Sequence, residues 1–317
     1  MISEEKENKF FHTPVLLDKV LEYLINKNLH KQIVVDGTLG GGGYSEAILK
    51  KLSGEDLLLS FDKDLEALAY AKKRLEIFGD KVKFFNNNFA DIKPVLLQNG
   101  IKKITGVVLD LGLSSHQIEN EEGFSYMRDT NLDMRAFKKE TKTAADVLNS
   151  YTKEELMSVF EEYGEIGNSQ RLAGAITGKR KTSRFKKTFD LTALIEEEYK
   201  IDKKNTIKFL SKIFQALRIE VNHELDDLKK VLKDSVDLME EGGRILIVSY
   251  HSLEDRIVKN FFREMSATSR KTDNPFYDED VIPELKILTK KSVAPEFAEI
   301  KQNSRARSAK LRCAEKI

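Results

Sequence analysis

A strand–turn–helix passage near the start of the chain constrains it most. Ile33-Val34-Val35-Asp36 is a short apolar run closed by an acid. It leads into Gly37-Thr38-Leu39-Gly40-Gly41-Gly42-Gly43-Tyr44, and Ser45 to Leu52 then reads as a helix. Glycines let a backbone turn sharply and come close to a ligand. The first amides of the following helix can hydrogen-bond an anionic group. The pattern then repeats. Leu57 to Phe61 is a second apolar run, followed by Asp62, and Leu65, Leu68, Ala69, Leu75 and Phe78 mark an amphipathic helix. Val82 to Phe85 and Ile104 to Leu109 read as a third and a fourth strand, the latter ending at Asp110. Short, largely apolar strands separated by helices imply a parallel sheet covered on both faces. Right-handed crossovers then leave an α/β, doubly wound, Rossmann-like sheet.

The alternation stops after Ser115. From about Glu119 to Lys204 no strand signal stands out, while Glu154 to Tyr163, Gln170 to Ile176 and Leu191 to Tyr199 read as helices. The expected organisation is therefore one sheet domain, residues 1–118 with 205–317, carrying an inserted helical domain, 119–204. Apolar positions at Ile207, Leu210, Phe214, Leu217, Val221, Leu225, Leu228 and Leu232 predict a long amphipathic helix or a helix pair. Its use in a coiled-coil homodimer is the alternative. The sheet resumes at Arg244 to Tyr250, with a helix from His251 to Phe262 and final strands at Leu285 to Thr289 and Ser308 to Ala314.

At 317 residues the chain suits one domain plus an insertion. No apolar run approaches the ~18 residues of a membrane span, and the polar residues 1–9 look like neither a secretory signal nor an organelle presequence. The expected location is cytoplasmic, with no membrane partner. Cys313 is the single cysteine, which rules out an internal disulfide and a thiolate metal cage. No metal is expected. The formal net charge is only +1, but basic residues are unevenly placed. Lys179 to Lys187 contains Arg180 and Arg184 and no acid, and Lys301, Arg305, Arg307, Lys310 and Arg312 form a second group. Such patches suit nucleic-acid phosphates or are merely solvated.

The glycine turn with Asp62 twenty residues beyond Gly42 suits a nucleoside cofactor, because a carboxylate there can accept both ribose hydroxyls. The dinucleotide fingerprint Gly-x-Gly-x-x-Gly/Ala fails. Counted from Gly40 its last position is Ser45, from Gly41 it is Glu46, and from Gly37 the second glycine is Leu39. S-adenosylmethionine, which has no pyrophosphate, fits better than a nicotinamide dinucleotide.

Further segments carry a resemblance. They are His12-Thr13-Pro14-Val15-Leu16-Leu17, Asp36-Gly37-Thr38, Asp110-Leu111-Gly112-Leu113-Ser114-Ser115, Gly123-Phe124-Ser125-Tyr126-Met127-Arg128 and Leu132-Asp133-Met134-Arg135. Phe214-Gln215-Ala216-Leu217-Arg218-Ile219, His251-Ser252-Leu253-Glu254-Asp255-Arg256 and Arg305-Ala306-Arg307-Ser308 follow in order. Together they resemble the ribosomal RNA small-subunit methyltransferase H family. The resemblance implies a class I methyltransferase that uses S-adenosyl-L-methionine to methylate N4 of a cytidine in the decoding centre of small-subunit (16S) ribosomal RNA. It implies cofactor contacts at Gly42, Gly43, Tyr44, Asp62, Phe89, Asp110 and Gln117, and RNA held partly by the insertion.

An exocyclic cytosine amine is a poor nucleophile that becomes positive as it is attacked, so the site needs acceptors for its protons. Asp110, Ser114 and Ser115 are the expected acceptors. His251 is either the proton acceptor or the cap of the helix at Ser252. Phe89 either covers the adenine or is a core aromatic. Arg180, Arg184, Lys187, Arg305 and Arg307 are the expected RNA contacts. Tyr44 stands where the family usually has histidine, Ile166 where it has glutamate, Lys212 where it has arginine and Ser304 where it has proline. A non-catalytic ribosome-assembly factor on the same fold, and an amino methyltransferase acting on DNA or protein, are the rival readings.

Overall fold

The computed structural model describes residues 14–112, 122–137, 140–271 and 278–317. They fall into two compact units, one comprising residues up to 112 with 225–317, the other 113–224.

In the first unit, helix α1 (Leu17–Leu24) precedes strand β1 (Ile33–Asp36). Then come α2 (Gly43–Leu49), β2 (Leu57–Phe61), α3 (Leu65–Leu75), β3 (Val82–Phe85), α4 (Ile92–Gln98) and β4 (Ile104–Asp110). The sheet has seven strands. β1 to β4 and β5 (Met239–Ser249) are parallel, and β9 (Lys310–Lys316) runs antiparallel between β5 and β8 (Leu285–Ile287), in the order β3-β2-β1-β4-β5-β9-β8. Successive residues point to opposite faces of a strand. Val34, Leu58, Val108 and Leu246 therefore join a core with α1, α2 and α3. Val35, Leu59, Val107 and Ile245 join a second core with α4, α10 (Glu224–Leu238) and α11 (Ser252–Met265). Burial on both faces explains the largely apolar runs. A short hairpin of β6 (Ser269–Lys271) and β7 (Asp278–Asp280) and helix α12 (Phe297–Gln302) belong to the same unit.

In the second unit, α5 (Ala144–Ser150), α6 (Lys153–Glu162), α7 (Ser169–Lys179), α8 (Thr188–Tyr199) and α9 (Lys203–Asn222) enclose Leu148, Leu156, Phe160, Leu172, Phe185, Ile195, Ile213 and Phe214. Thr143 and Thr152 start α5 and α6 with reciprocal capping boxes. The long apolar repeat is a helix pair. His223 adopts a left-handed conformation (φ 53°) and ends α9 before α10 begins. Each apolar face is buried in the core of its own unit. Among the described residues no helix is long and apolar enough to cross a membrane.

Candidate active site

Parallel pairing brings the carboxyl ends of β1 to β5 to one edge of the sheet. Asp36, Asp62, the 86–89 turn, Asp110 and Tyr250 all sit there, at the edge where open α/β sheets bind ligands.

The glycine turn is held from several sides. Gly40 and Gly42 have φ of 49° and 79°, a region in which a side chain is strained. Gly37 packs so closely that a Cβ would come within 2.2 Å of Leu109 Cδ2 and 3.2 Å of Phe89 Cβ. Arg74 donates to Gly41 O at 2.7 Å and pairs with Glu46. Beneath the turn, Asp36 is fully buried and accepts from Ser45 Oγ at 2.7 Å and Thr38 N at 3.2 Å. Burial pushes its pKa up to about 6 against these donors.

Asp62 reaches back to the turn. Its Oδ2 accepts Gly40 N at 2.8 Å and its Oδ1 accepts Asp64 N at 2.8 Å. A carboxylate oxygen has room for a second donor, so the cradle fits a ribose whose hydroxyls meet Asp62. Burial, only partly offset by these amides, shifts its carboxyl above the usual range. Phe89 opens a 3₁₀ turn, half-buried, with its Cβ against Gly37. That places the ring beside the glycine turn and partly in the core.

Asp110 ends β4. Its N–H donates to Thr38 Oγ1 at 2.7 Å, which ties the β4 end to the glycine turn. Its Oδ1 is buried and has no hydrogen-bond partner among the described residues. Burial raises the carboxyl to about 7, although the Tyr250 hydroxyl and the Gly112 amide pull the other way. Part of the residue still meets solvent, but the carboxyl itself is enclosed.

His251 is the N-cap of α11. Its Nδ1 accepts Glu254 N at 3.4 Å, while the buried Glu254 carboxylate accepts Tyr250 N at 2.8 Å and His251 N at 3.2 Å. His251 Nε2 lies 3.1 Å from Glu254 Oε1, off the line of a hydrogen bond. Of the two sequence readings, the local geometry supplies the cap.

Gly42 and Gly43 form the start of α2. Tyr44 is 5 % exposed and its hydroxyl donates to Val15 O, so the side chain belongs to the core and only its backbone lines the turn. Ser114, Ser115 and Gln117 lie outside the described residues. The basic stretch divides. Arg180 Nη1 donates to Leu148 O at 3.0 Å and Tyr151 O at 2.6 Å, closing the end of α5. Lys179, Lys181, Arg184 and Lys186 are exposed, and Lys187 is exposed with Asp129 at 3.4 Å. Arg307 is exposed and Arg305 half-buried, whereas Lys310 and Arg312 pair with Asp255. Ile166 is buried in the helical core, and Lys212 donates to Glu165 O at 3.1 Å. Thr38, Ser45 and Glu254 were not singled out in the sequence. Each acts through particular hydrogen bonds, which leave no periodic trace.

The strand order with its one antiparallel member, the acid-bearing glycine turn and the carboxylates at the sheet edge define the class: a Rossmann-like class I methyltransferase. Residues 9–317 match the MraW methylase family, and the chain belongs to that family. It is 43 % identical over 314 residues to the ribosomal RNA small subunit methyltransferase H of Finegoldia magna, covering 98 % of this chain and 99 % of the relative. Proteins of the same name from Fusobacterium nucleatum and Clostridioides difficile are 41 % and 42 % identical. The alignments cover 99 % of this chain and of the first, and 98 % of this chain and 100 % of the second.

Proposed function

We propose that this chain transfers the methyl group of S-adenosylmethionine to the N4 amine of a cytidine in the decoding centre of small-subunit ribosomal RNA. The end-to-end similarity to relatives named for ribosomal RNA methylation supports the substrate class. The observation that carries the chemistry is the buried Asp110 Oδ1 at the carboxyl edge of the sheet, without a partner among the described residues, on a strand end tied through Thr38 to the glycine turn.

The cofactor supplies an electrophilic methyl group on a sulfonium. Asp62 and the closely packed glycine turn would hold its nucleoside end, and Phe89 would border the base. Asp110 is the acceptor for the amine protons. It orients the nitrogen lone pair along the line of displacement and stabilises the charge that develops there, where enclosure from water makes such a group most effective. A carboxyl with a pKa of about 7 is ionised often enough at neutral pH to take the proton and is basic enough to hold it. Much of the remaining acceleration is positioning. The target base leaves its stack to reach the site. The helical unit, with exposed Lys179, Lys181, Arg184 and Lys186, engages phosphates that set position without reading sequence. We take the inserted domain, expected at residues 119–204 from the change in sequence pattern, to be this helical unit, which extends through α9.

Mass spectrometry of ribosomal RNA nucleosides, from cells with and without this chain, is the test. N4-methylcytidine is expected to disappear with the chain and to return with the wild type but not with Asp110→Asn. An unchanged nucleoside profile overturns the assignment.

A further inference from the structure

The segment that follows β5 is pinned by hydrogen bonds and by packing. Glu254, 3 % exposed, accepts the backbone N–H groups of both Tyr250 and His251 and so sets the direction in which Tyr250 leaves the sheet. The ring lies against Gly112, where a Cβ would come within 2.7 Å of Cε2 and 3.0 Å of Cζ. Leu111 N donates to Val248 O at 3.0 Å, which holds the two carboxyl-edge segments together. That packing sets the Tyr250 hydroxyl against the Asp110 carboxyl, where it favours the ionised form. On the same carboxyl, Oδ1 is buried and has no partner among the described residues.

We infer that Tyr250 is a positioning residue of the methyl-transfer site, its hydroxyl holding the Asp110 carboxyl so that Oδ1 is the open acceptor towards the reacting amine. The inference rests on the reading of Asp110 given above. A carboxylate on a single-bonded side chain can rotate, and a donor on one side removes that freedom. The phenol is suited to the task because it remains a donor: burial and then the Asp110 charge push its own pKa well above the ordinary phenol range. It also favours the ionised carboxylate. The other groups facing Asp110 are the Gly112 amide, the Asp36 carboxyl below the glycine turn, Glu254 on α11 and the Tyr44 hydroxyl on α2. Asp36 and Glu254 oppose ionisation, which leaves Tyr250 and Gly112 as the groups that favour it. The capping box of α11 acquires a purpose in this arrangement, since Glu254 aims Tyr250.

Tyr250→Phe retains the ring against Gly112 and removes only the hydroxyl. With carbon-labelled aspartate in the full-length protein, nuclear magnetic resonance should show the Asp110 carboxyl titrating about one pH unit higher in the variant. Single-turnover methylation of small subunits should then fall about 5-fold at pH 7, the ratio of ionised fractions for pKa values of about 7 and about 8. It should recover by about pH 9 with the S-adenosylmethionine KM within about twofold. Gly112→Ala, which displaces the ring, should shift the titration in the same direction. Identical Asp110 titration in wild type and Tyr250→Phe overturns the inference, whatever the chain does to RNA. A shifted titration in a protein whose wild type methylates no ribosomal cytidine supports the pairing and overturns the functional reading.

Discussion

At the scale of single residues, two carboxyls dominate and both are displaced by burial. Folding raises Asp110 from an ordinary carboxylate pKa to about 7. Between those values the folded chain retains a proton that the unfolded chain has released, so the stability present at low pH is lost as pH rises towards 7. Asp110→Asn should therefore gain stability over wild type at pH 8, by about 2–4 kcal/mol, with the gain vanishing near pH 4. Denaturant melts at the two pH values measure this. Activity has the opposite dependence, because the ionised form is the acceptor. The single-turnover rate of the wild type should climb through pH 7 and level off, and Asp110→Asn should lose the climb together with about 10²–10⁴ of the rate. Asp62 has two duties, since its oxygens also accept Gly40 N and Asp64 N. Asp62→Ala should cost about 1.5–3 kcal/mol of S-adenosylmethionine binding and loosen the turn as well. Calorimetry giving wild-type affinity would remove Asp62 from the cofactor site.

Elements show why a charge run is a poor guide to an interface until its partners are known. The stretch after α7 contains basic residues with different employment. Arg180 satisfies carbonyls at the end of α5, groups that a helix terminus leaves unpaired. Arg180→Gln should lower the melting stability by about 1–3 kcal/mol and change the salt dependence of RNA binding little. Arg184 and Lys186 are exposed, and the Lys187 pair with Asp129 is a surface interaction of small worth. Replacing Arg184, Lys186 and Lys187 with glutamine should leave stability intact. It should flatten the dependence of RNA affinity on salt by roughly one counterion for each phosphate the variant fails to neutralise. Filter binding across a salt series, set beside thermal melts, distinguishes the two classes. A steep, unaltered slope in the triple variant would show this face to be solvated surface. Apolar periodicity located α6, α7 and α8 closely, yet it passed over α5. That helix is two turns long, and its start depends on the Thr143–Asp146 capping box.

At the scale of the whole molecule, β9 lies within the sheet, between β5 and β8. Cys313 sits in β9, fully buried, with its thiol pKa pushed up by burial. It should be inert to thiol reagents in the native protein and should react only as the sheet opens. Its labelling rate across a denaturant series should follow global unfolding. Labelling that runs ahead of the loss of circular dichroism would instead show β8 and β9 to detach separately.

The amino-acid sequence alone determined the central strands, because a strand buried on both faces is largely apolar and Val34-Val35, Leu58-Leu59 and Val107-Val108 show it, whereas the polar hairpin of β6 and β7 left no such signal. It also determined which acids stand at strand ends, since Asp36, Asp62 and Asp110 each interrupt such a run. Only the tertiary structure decided that β9 inserts antiparallel beside β5, because strand order depends on where a connection returns and not on local pattern. It also decided that the repeat from Ile207 to Leu232 breaks at His223, where one left-handed residue redirects an otherwise continuous helical period. The employment of polar residues was decided there as well. Thr38 on Asp110 and Arg180 on the end of α5 are hydrogen bonds between positions that only folding brings together. A polar side chain advertises its chemistry in the sequence, but its partner is a property of three dimensions.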